Sequence, residues 1–394
     1  MSSNGGDTTT AAHGRHRARR ALAWGAAAVV ALTGLAGAVA AASSAPASAT
    51  GPPDGAHRAG PGRAVLDAVA PPAARTTFAP GTEVPAGLDQ SDPFVTVAGG
   101  RYVLVTSGGA APDPVNVPLS TSTDFTHWTP AVDALPVLPP WAERGFTWAP
   151  DLHRFGSTYA LYFTAQVAGR SPQTQCIGSA FAPSPTGPFT ASPVPFVCQL
   201  DQGGTIDPRV FVDHTGTPWL LFKSDQNIGG ATTPTVMWSQ RLSPDGTQLL
   251  GSPSALMTPD RPWQGTIVEA PDMVEVGGAY WVVYSANWYN SPDYAVGAAR
   301  CAGPAGPCTD LGPTPLLASN LQGEGPGEAS VFRDPTGIWL LYSPRRSLAP
   351  QPDVPARPVF ITRIGFTRNG PYLASGPLPG PADLLAVPLW SSVP

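Results

Sequence analysis

Charge is what this chain has least of: Asp, Glu, Lys and Arg make up 12% of its 394 residues, and the net value is −5. No basic stripe exists to follow a phosphate backbone, so nucleic acid is excluded as a partner. The six histidines show no metal-ligand spacing, and the four cysteines form no CxxC pair, which leaves zinc the weaker reading of the cysteines. Beyond the N-terminal segment no helical period of useful length appears, so later motifs are assigned to strands and turns. What the chain does have is aromatic residues together with 43 glycines and 49 prolines. That glycine and proline content approaches the low-complexity range, but here it punctuates five aromatic-rich strand pairs and belongs to turns and linkers. An uncharged ligand recognised by hydrogen bonds and aromatic stacking suits such a surface.

One unit recurs along the chain. In TIVEAPDMVEVGGAYWVVYSAN, Thr266 to Asn287, a carboxylate-bearing start leads into a short strand, a Gly turn and a second strand. Similar units begin at Asp92 (DPFVTVAGGRYVLVTS), Ala149 (APDLHRFGSTYALYFTA), Asp207 (DPRVFVDHTGTPWLLFKS) and Glu328 (EASVFRDPTGIWLLYS). Aligned on Pro93, Pro150, Pro208, Pro271 and Glu328, the intervals are 57, 58, 63 and 57 residues. Each unit makes a small antiparallel sheet that cannot bury both faces alone, so five copies must stack, and a closed ring leaves no exposed end. The expected fold is all-β, a five-bladed β-propeller. Its blades should span Ser91–Ala134, Phe146–Val197, Gly204–Met257, Thr266–Leu317 and Pro326–Val387. Phe78 to Leu88 is the stretch available to add a strand to the last blade.

The N-terminus reads as an export signal over 1–49: Arg15, Arg17, Arg19 and Arg20, an apolar run from Ala21 to about Ala42, and small residues ending at Ala47-Ser48-Ala49. The apolar run is also near the length of a membrane anchor, so membrane association is expected only if this segment stays uncleaved. Arg19-Arg20 leaves open the choice between general and twin-arginine export. Residues 50–77 are a Pro, Gly and Ala-rich linker, and 78–394 the folded domain, with no further module after the fifth blade. An even number of cysteines in an exported chain points to two disulfides; sequence proximity favours Cys176–Cys198 and Cys301–Cys308 among the three connectivities.

In a propeller the first strand of each blade lies nearest the axis, so acids at the start of these strands converge on one mouth of the channel. The candidates are Asp92, Asp151, Asp207, Glu269, Asp272 and Glu328. Asp151 and Asp272 follow their prolines, and one step along a strand turns a side chain to the other face; they need not share the site. An acid beside a turn proline often only caps the turn. Three such acids in register on a ring, with no Ser-His-Asp arrangement or phosphate-cradling loop, suit glycoside hydrolysis: one carboxyl protonates the leaving oxygen, one activates water or attacks the sugar, and a third raises the acid's pKa.

SDPFV, TWAPDLHRFGSTYALYFTA, GGTIDPRVFVDHTGTPWLLFKSD and IVEAPDMVEVGGAYWVVYSAN, in that order over residues 85 to 345, resemble the blade signatures of glycoside hydrolase family 43, the arabinanases, α-L-arabinofuranosidases and β-xylosidases. The resemblance implies a propeller that cleaves furanosides or xylosides with inversion. Asp92 would be the general base, Glu269 the general acid and Asp207 the residue that tunes that acid, with acid and base roughly 6.5–9.5 Å apart to admit water. Trp148 is the expected sugar platform or else a core tryptophan between blades; Phe94, Ser285 and Glu328 are further substrate-binding candidates, with Trp288, Tyr289, Arg345 and Arg346 behind them. Asp89, near Asp92 but without the proline context, is assigned to the surface. His153, on a strand, is assigned a structural role.

Many family members carry a histidine in a Gly-Pro-Gly-His context that organises a calcium or water cluster on the axis. Here the stretch is Gly325-Pro326-Gly327-Glu328. Glu328 offers oxygen to a hard cation but also adds negative charge, so no cofactor is expected to be required and calcium stays an open alternative. The expected protein is a secreted monomer acting on plant-type carbohydrate. The competing readings are a related five-bladed furanosidase or phosphorylase, against which the missing WMNDPNG motif counts, and a non-catalytic carbohydrate-binding propeller.

Overall fold

Short apolar runs closed by glycine turns fold as antiparallel hairpins. Gly277 and Gly278, at φ 62° and 71°, form the two-residue turn between the first two strands of the fourth unit. Both positions need a positive φ, and the resulting turn matches the right-handed twist of the flanking strands. The computed structural model describes residues 81–374, except 85, 87–89, 109–114, 231, 335–336 and 349–350. The expected signal (1–49), the linker (50–77), Phe78, Asp89 and everything after 374 lie outside the described residues.

Strand β1 (Thr82–Glu83) precedes the first blade, which holds β2 (Phe94–Ala98), β3 (Arg101–Val105), β4 (Pro118–Ser122) and β5 (Val132–Asp133). The second blade has β6 (Ala142–Phe155), β7 (Thr158–Val167), β8 (Gln175–Ala182) and β9 (Thr190–Ala191). The third has β10 (Thr205–Val212), β11 (Pro218–Ser224), β12 (Met237–Leu242) and β13 (Leu249–Met257). The fourth has β14 (Val268–Val276), β15 (Ala279–Ala286), β16 (Ala295–Cys301) and β17 (Cys308–Asp310). The fifth has β18 (Glu324–Asp334), β19 (Gly337–Leu348), β20 (Gln351–Ala356), β21 (Phe360–Thr367) and β22 (Gly370–Ala374). Among the described residues the only helices are three-residue 3₁₀ turns.

The strands of the first four sheets lie in sequence order, and their first strands pack in a ring: β2 on β6, β6 on β10, β10 on β14, β14 on β18, and β18 back on β2. The chain is a five-bladed β-propeller. β1 closes it by pairing with β21, Thr82 against Ile361 and Glu83 against Phe360. Arg346 secures this seam, 2.6 Å from the Glu83 carboxylate with its guanidinium over the Phe360 ring.

Each blade buries its faces against its neighbours. Five apolar clusters fill the five gaps; Leu221, Met237 and Phe211 of the third blade meet Val268, Val282 and Tyr284 of the fourth, and Tyr102 and Leu104 of the first meet Phe332 and Trp339 of the fifth. The structure holds both disulfides, Cys176–Cys198 and Cys301–Cys308. Because Leu221 is fully buried between two blades, Leu221→Ala should cost about 2–5 kcal/mol through lost burial and a residual cavity. Chemical denaturation monitored by tryptophan fluorescence measures it.

Candidate active site

Each innermost strand carries the same local device. The residue just before the strand's proline sits in the left-handed region: Asp92 (φ 57°), Ala149 (45°), Asp207 (58°), Ala270 (49°) and, before Ala329, Glu328 (50°). The β-ladders of the second to fifth blades shift register at this point. Glu328 therefore matches Asp207 and Ala270 rather than Pro271, and the last interval is 58 residues, correcting the alignment made on sequence alone.

A left-handed non-glycine residue is strained, so its amide needs a fixed partner. The preceding blade supplies one from the facing position of its second strand or just beyond. Ser107 Oγ accepts the Ala149 N–H (2.9 Å), Thr164 Oγ1 that of Asp207 (3.1 Å) and Ser285 Oγ that of Glu328 (2.8 Å). In the third blade Lys223 stands where these hydroxyls would be. The Ala270 N–H goes instead to Asp207 Oδ2 at 3.0 Å, and Lys223 Nζ reaches Glu269 Oε2 at 2.9 Å and Asp225 at 3.5 Å.

Asp92, Asp207, Glu269 and Glu328 thus gather at one end of the ring. Oxygens of the last three lie within 4.8 Å of one another. The Tyr294 hydroxyl touches both Glu269 Oε1 and Glu328 Oε1, each at 2.6 Å. Ser107 Oγ donates to Asp92 Oδ2, and Arg357 stands 3.7 Å from Asp92 Oδ1, donates to the Ser343 carbonyl and covers the Tyr294 ring.

Burial raises three of these carboxyls. Asp207 is pushed up to about 7, by burial first and Glu269 next, against the pull of Lys223. Asp92 is raised by burial, opposed by Arg357 and the Ser107 hydrogen bond. Glu328 is held well above its usual range by burial and by Asp207, Asp92 and Glu269. For Lys223 burial works against the charge, but Glu269, Asp225 and Asp207 outweigh it and the ammonium is held more firmly than usual.

A second layer lies one step deeper. Arg209 sits 3.7 Å from Asp151 and 3.9 Å from Asp272, with its guanidinium 4.8 Å from the centre of the Phe94 ring. Asp151 and Asp272 belong to this layer, as the change of strand face implies, and Phe94 is 7% exposed against its arginine. Trp148, half-buried, occupies the position in β6 that Glu269 occupies in β14. Ser285 is wholly buried and anchors the Glu328 amide instead of facing the channel. Arg345 and Arg346 turn to Asn290 and Glu83; the arginine near the acids is Arg357. His153 is buried beside Phe155, and burial lowers it to about 4.

The sequence reading missed Lys223, Tyr294 and Arg357. Only Lys223 left a local signal, a lysine inside the apolar run LLFKS. Oxygens spaced as in Asp207, Glu269 and Glu328 would suit a hard cation, but an ammonium is already seated on Glu269 and one tyrosine hydroxyl engages both glutamates. The donor set does not fit a resident calcium ion.

The fold is a five-bladed β-propeller that sets four acids from four blades against one lysine and one arginine at its mouth. Residues 86–372 match the family model described as glycosyl hydrolases family 43, and the chain belongs to that family. Over 196 residues it is 27% identical to an extracellular endo-α-(1→5)-L-arabinanase of Bacillus subtilis, and over 83 residues 36% identical to a xylosidase/arabinosidase of Humicola insolens. The matches cover 47% and 21% of this chain, and 57% and 23% of the two relatives' lengths. The crystal structure of a thermostable family-43 glycoside hydrolase superposes with a TM-score of 0.64 at 25% identity, covering 76% of this chain and 98% of that one.

Two predictions follow from the geometry of this site. A Cβ on Gly327 would lie 1.9 Å from the Tyr294 ring, so Gly327→Ala should displace Tyr294 and lower kcat roughly a hundredfold, as a 1 Å misplacement near the chemistry does, while circular dichroism shows a folded propeller. Asp151 is pushed up to about 7 by burial first, with Arg209 opposing and Asp272 adding. The folded state therefore keeps a proton that the unfolded chain releases, and stability falls as pH rises from about 4 to 7. Asp151→Asn should make that decline shallower in urea melts run across the range.

Proposed function

We propose that this chain is a secreted, inverting glycosidase that hydrolyses arabinofuranosyl or xylosyl linkages in plant-type polysaccharides or oligosaccharides. The observation that carries this reading is the convergence of Asp92, Asp207 and Glu269 from three different blades on one channel mouth, where Arg357 of the fifth blade stands beside Asp92, Asp207 takes the Ala270 N–H and Lys223 reaches Glu269. Asp92 takes the proton of the attacking water. Burial makes it the stronger base, while Arg357 and Ser107 hold its orientation. Glu269 protonates the leaving oxygen. Lys223 presents only N–H donors to Glu269 Oε2, so the transferable proton belongs on Oε1. Asp207 locks the backbone turn that carries Glu269 by accepting the Ala270 N–H.

Trp148 offers its indole face to the sugar beside the acids. The reaction needs no cofactor, since both proton transfers are assigned to carboxyls and Lys223 and Arg357 balance part of their charge. The arabinanase and xylosidase/arabinosidase relatives support the sugar class. Secretion is supported by the two disulfides, by the extracellular relative and by the arginine-led apolar segment at the N-terminus.

Reducing-sugar release from arabinan, arabinoxylan and xylan, alongside aryl α-L-arabinofuranoside and β-D-xyloside, tests this. Turnover of one of them is expected, falling about 10²–10⁴-fold in Glu269→Gln, with the inverted anomer appearing first by proton NMR. No turnover across the panel, combined with sugar binding that survives Glu269→Gln, would make the protein a carbohydrate-binding propeller.

A further inference from the structure

The Tyr294 hydroxyl has one hydrogen and two carboxylate oxygens at 2.6 Å, Glu269 Oε1 and Glu328 Oε1. One hydrogen serves one of these contacts. The other contact, oxygen to oxygen at hydrogen-bond length, requires a second proton that a carboxyl must bring. Lys223 fixes which oxygens take part, because its ammonium covers Glu269 Oε2 with donors and leaves only Oε1 facing Tyr294. Glu328 Oε2, by contrast, is buried and makes no hydrogen bond with the protein. The Glu328 carboxyl is thus committed on one oxygen alone, the one that meets Tyr294. Gly327 leaves the space in which the Tyr294 ring lies between the two acids.

We propose that Glu328 and Tyr294 form a proton relay that recharges Glu269 after each turnover. This rests on the reading of Glu269 as the general acid. Once Glu269 Oε1 has given its proton to the leaving oxygen, the Tyr294 O–H bond breaks toward Oε1 as the Glu328 Oε1–H bond breaks toward the tyrosine oxygen. One O–H bond is lost and one is formed at Tyr294, which stays neutral. Glu269 is again the carboxylic acid, and Glu328 is left as carboxylate. Glu328 then takes up the proton that Asp92 drew from the attacking water, which returns both carboxyls to their starting states. Burial favours the protonated state of Glu328, Asp207 and Asp92 add to it, and Arg357 offsets them in part. Tyr294 and Glu328 act through Glu269 and are positioning residues.

The relay is tested with wild type, Tyr294→Phe and Glu328→Gln on two glycosides of the accepted sugar, one with a dinitrophenolate leaving group, which departs unprotonated, and one with an alkoxide leaving group, which needs the proton. Each is assayed in rising concentrations of a small buffer acid. Expected is a loss of about tenfold or more in kcat for both variants on the alkyl glycoside, with KM unchanged and partial rescue by the buffer acid, and little change on the dinitrophenyl glycoside. Equal losses on both substrates, insensitive to buffer acid, would reduce the pair to a structural role and overturn the proposal. If wild type turns over neither glycoside, the glycosidase reading itself fails, and infrared spectroscopy decides on the shared proton. A protonated-carboxyl band at neutral pH that vanishes in Glu328→Gln supports it, and its absence from wild type overturns it.

Discussion

Everything at the channel mouth depends on one backbone constraint, a non-glycine residue held at positive φ at the inner end of each blade. Such a conformation costs of order 1–3 kcal/mol and persists only where surroundings over-determine it. In the second to fifth blades a hydroxyl or carboxylate from the preceding blade captures the strained amide. The turn redirects the side chains on either side of it, so residues that an unbroken strand would send to opposite faces approach one another. Blade packing and site geometry are therefore one set of interactions: the bonds that tie neighbour to neighbour also aim the acids.

The electrostatics follow from that arrangement. Three buried carboxyls, Asp207, Glu269 and Glu328, and the partly exposed Asp92 sit with buried Lys223 and partly exposed Arg357, and a tyrosine hydroxyl joins two of the acids. Removing all that charge from water would be prohibitive without protons staying on some of the carboxyls. The raised state of Asp207 and Glu328 is that retention. Arg209 sets a further cation between two more buried carboxyls, Asp151 and Asp272.

Much of this could be read from the chain because it is written locally. The repeat, the Gly turns, and the acids of SDP, IDP and VEAP all lie within a few residues of the feature that fixes them. The fold class and the convergence of Asp92, Asp207 and Glu269 were legible for that reason. Lys223, Tyr294 and Arg357 act across blade boundaries, and nothing in their own neighbourhoods announces a partner. Ser285 was read as facing the ligand because a strand-end serine looks alike whether it points at a channel or at an amide. Glu328 was noticed as a departure, but its alignment slipped by one residue because Ala329 stands where the other blades have proline.

The seam closed by β1 has a consequence for the site. Only two residues of β1 pair with β21, and the same N-terminal stretch bonds through Val84 to Val359 and through Gln90 to the Arg357 carbonyl. Arg357 is the cation beside Asp92, which follows Gln90 by two positions. Joining the ends of the ring and assembling one wall of the site are a single event, so any ligand that bridges Asp92 and Arg357 also latches the propeller. By linkage, its binding energy is returned as resistance of the ring to opening at its shortest pairing.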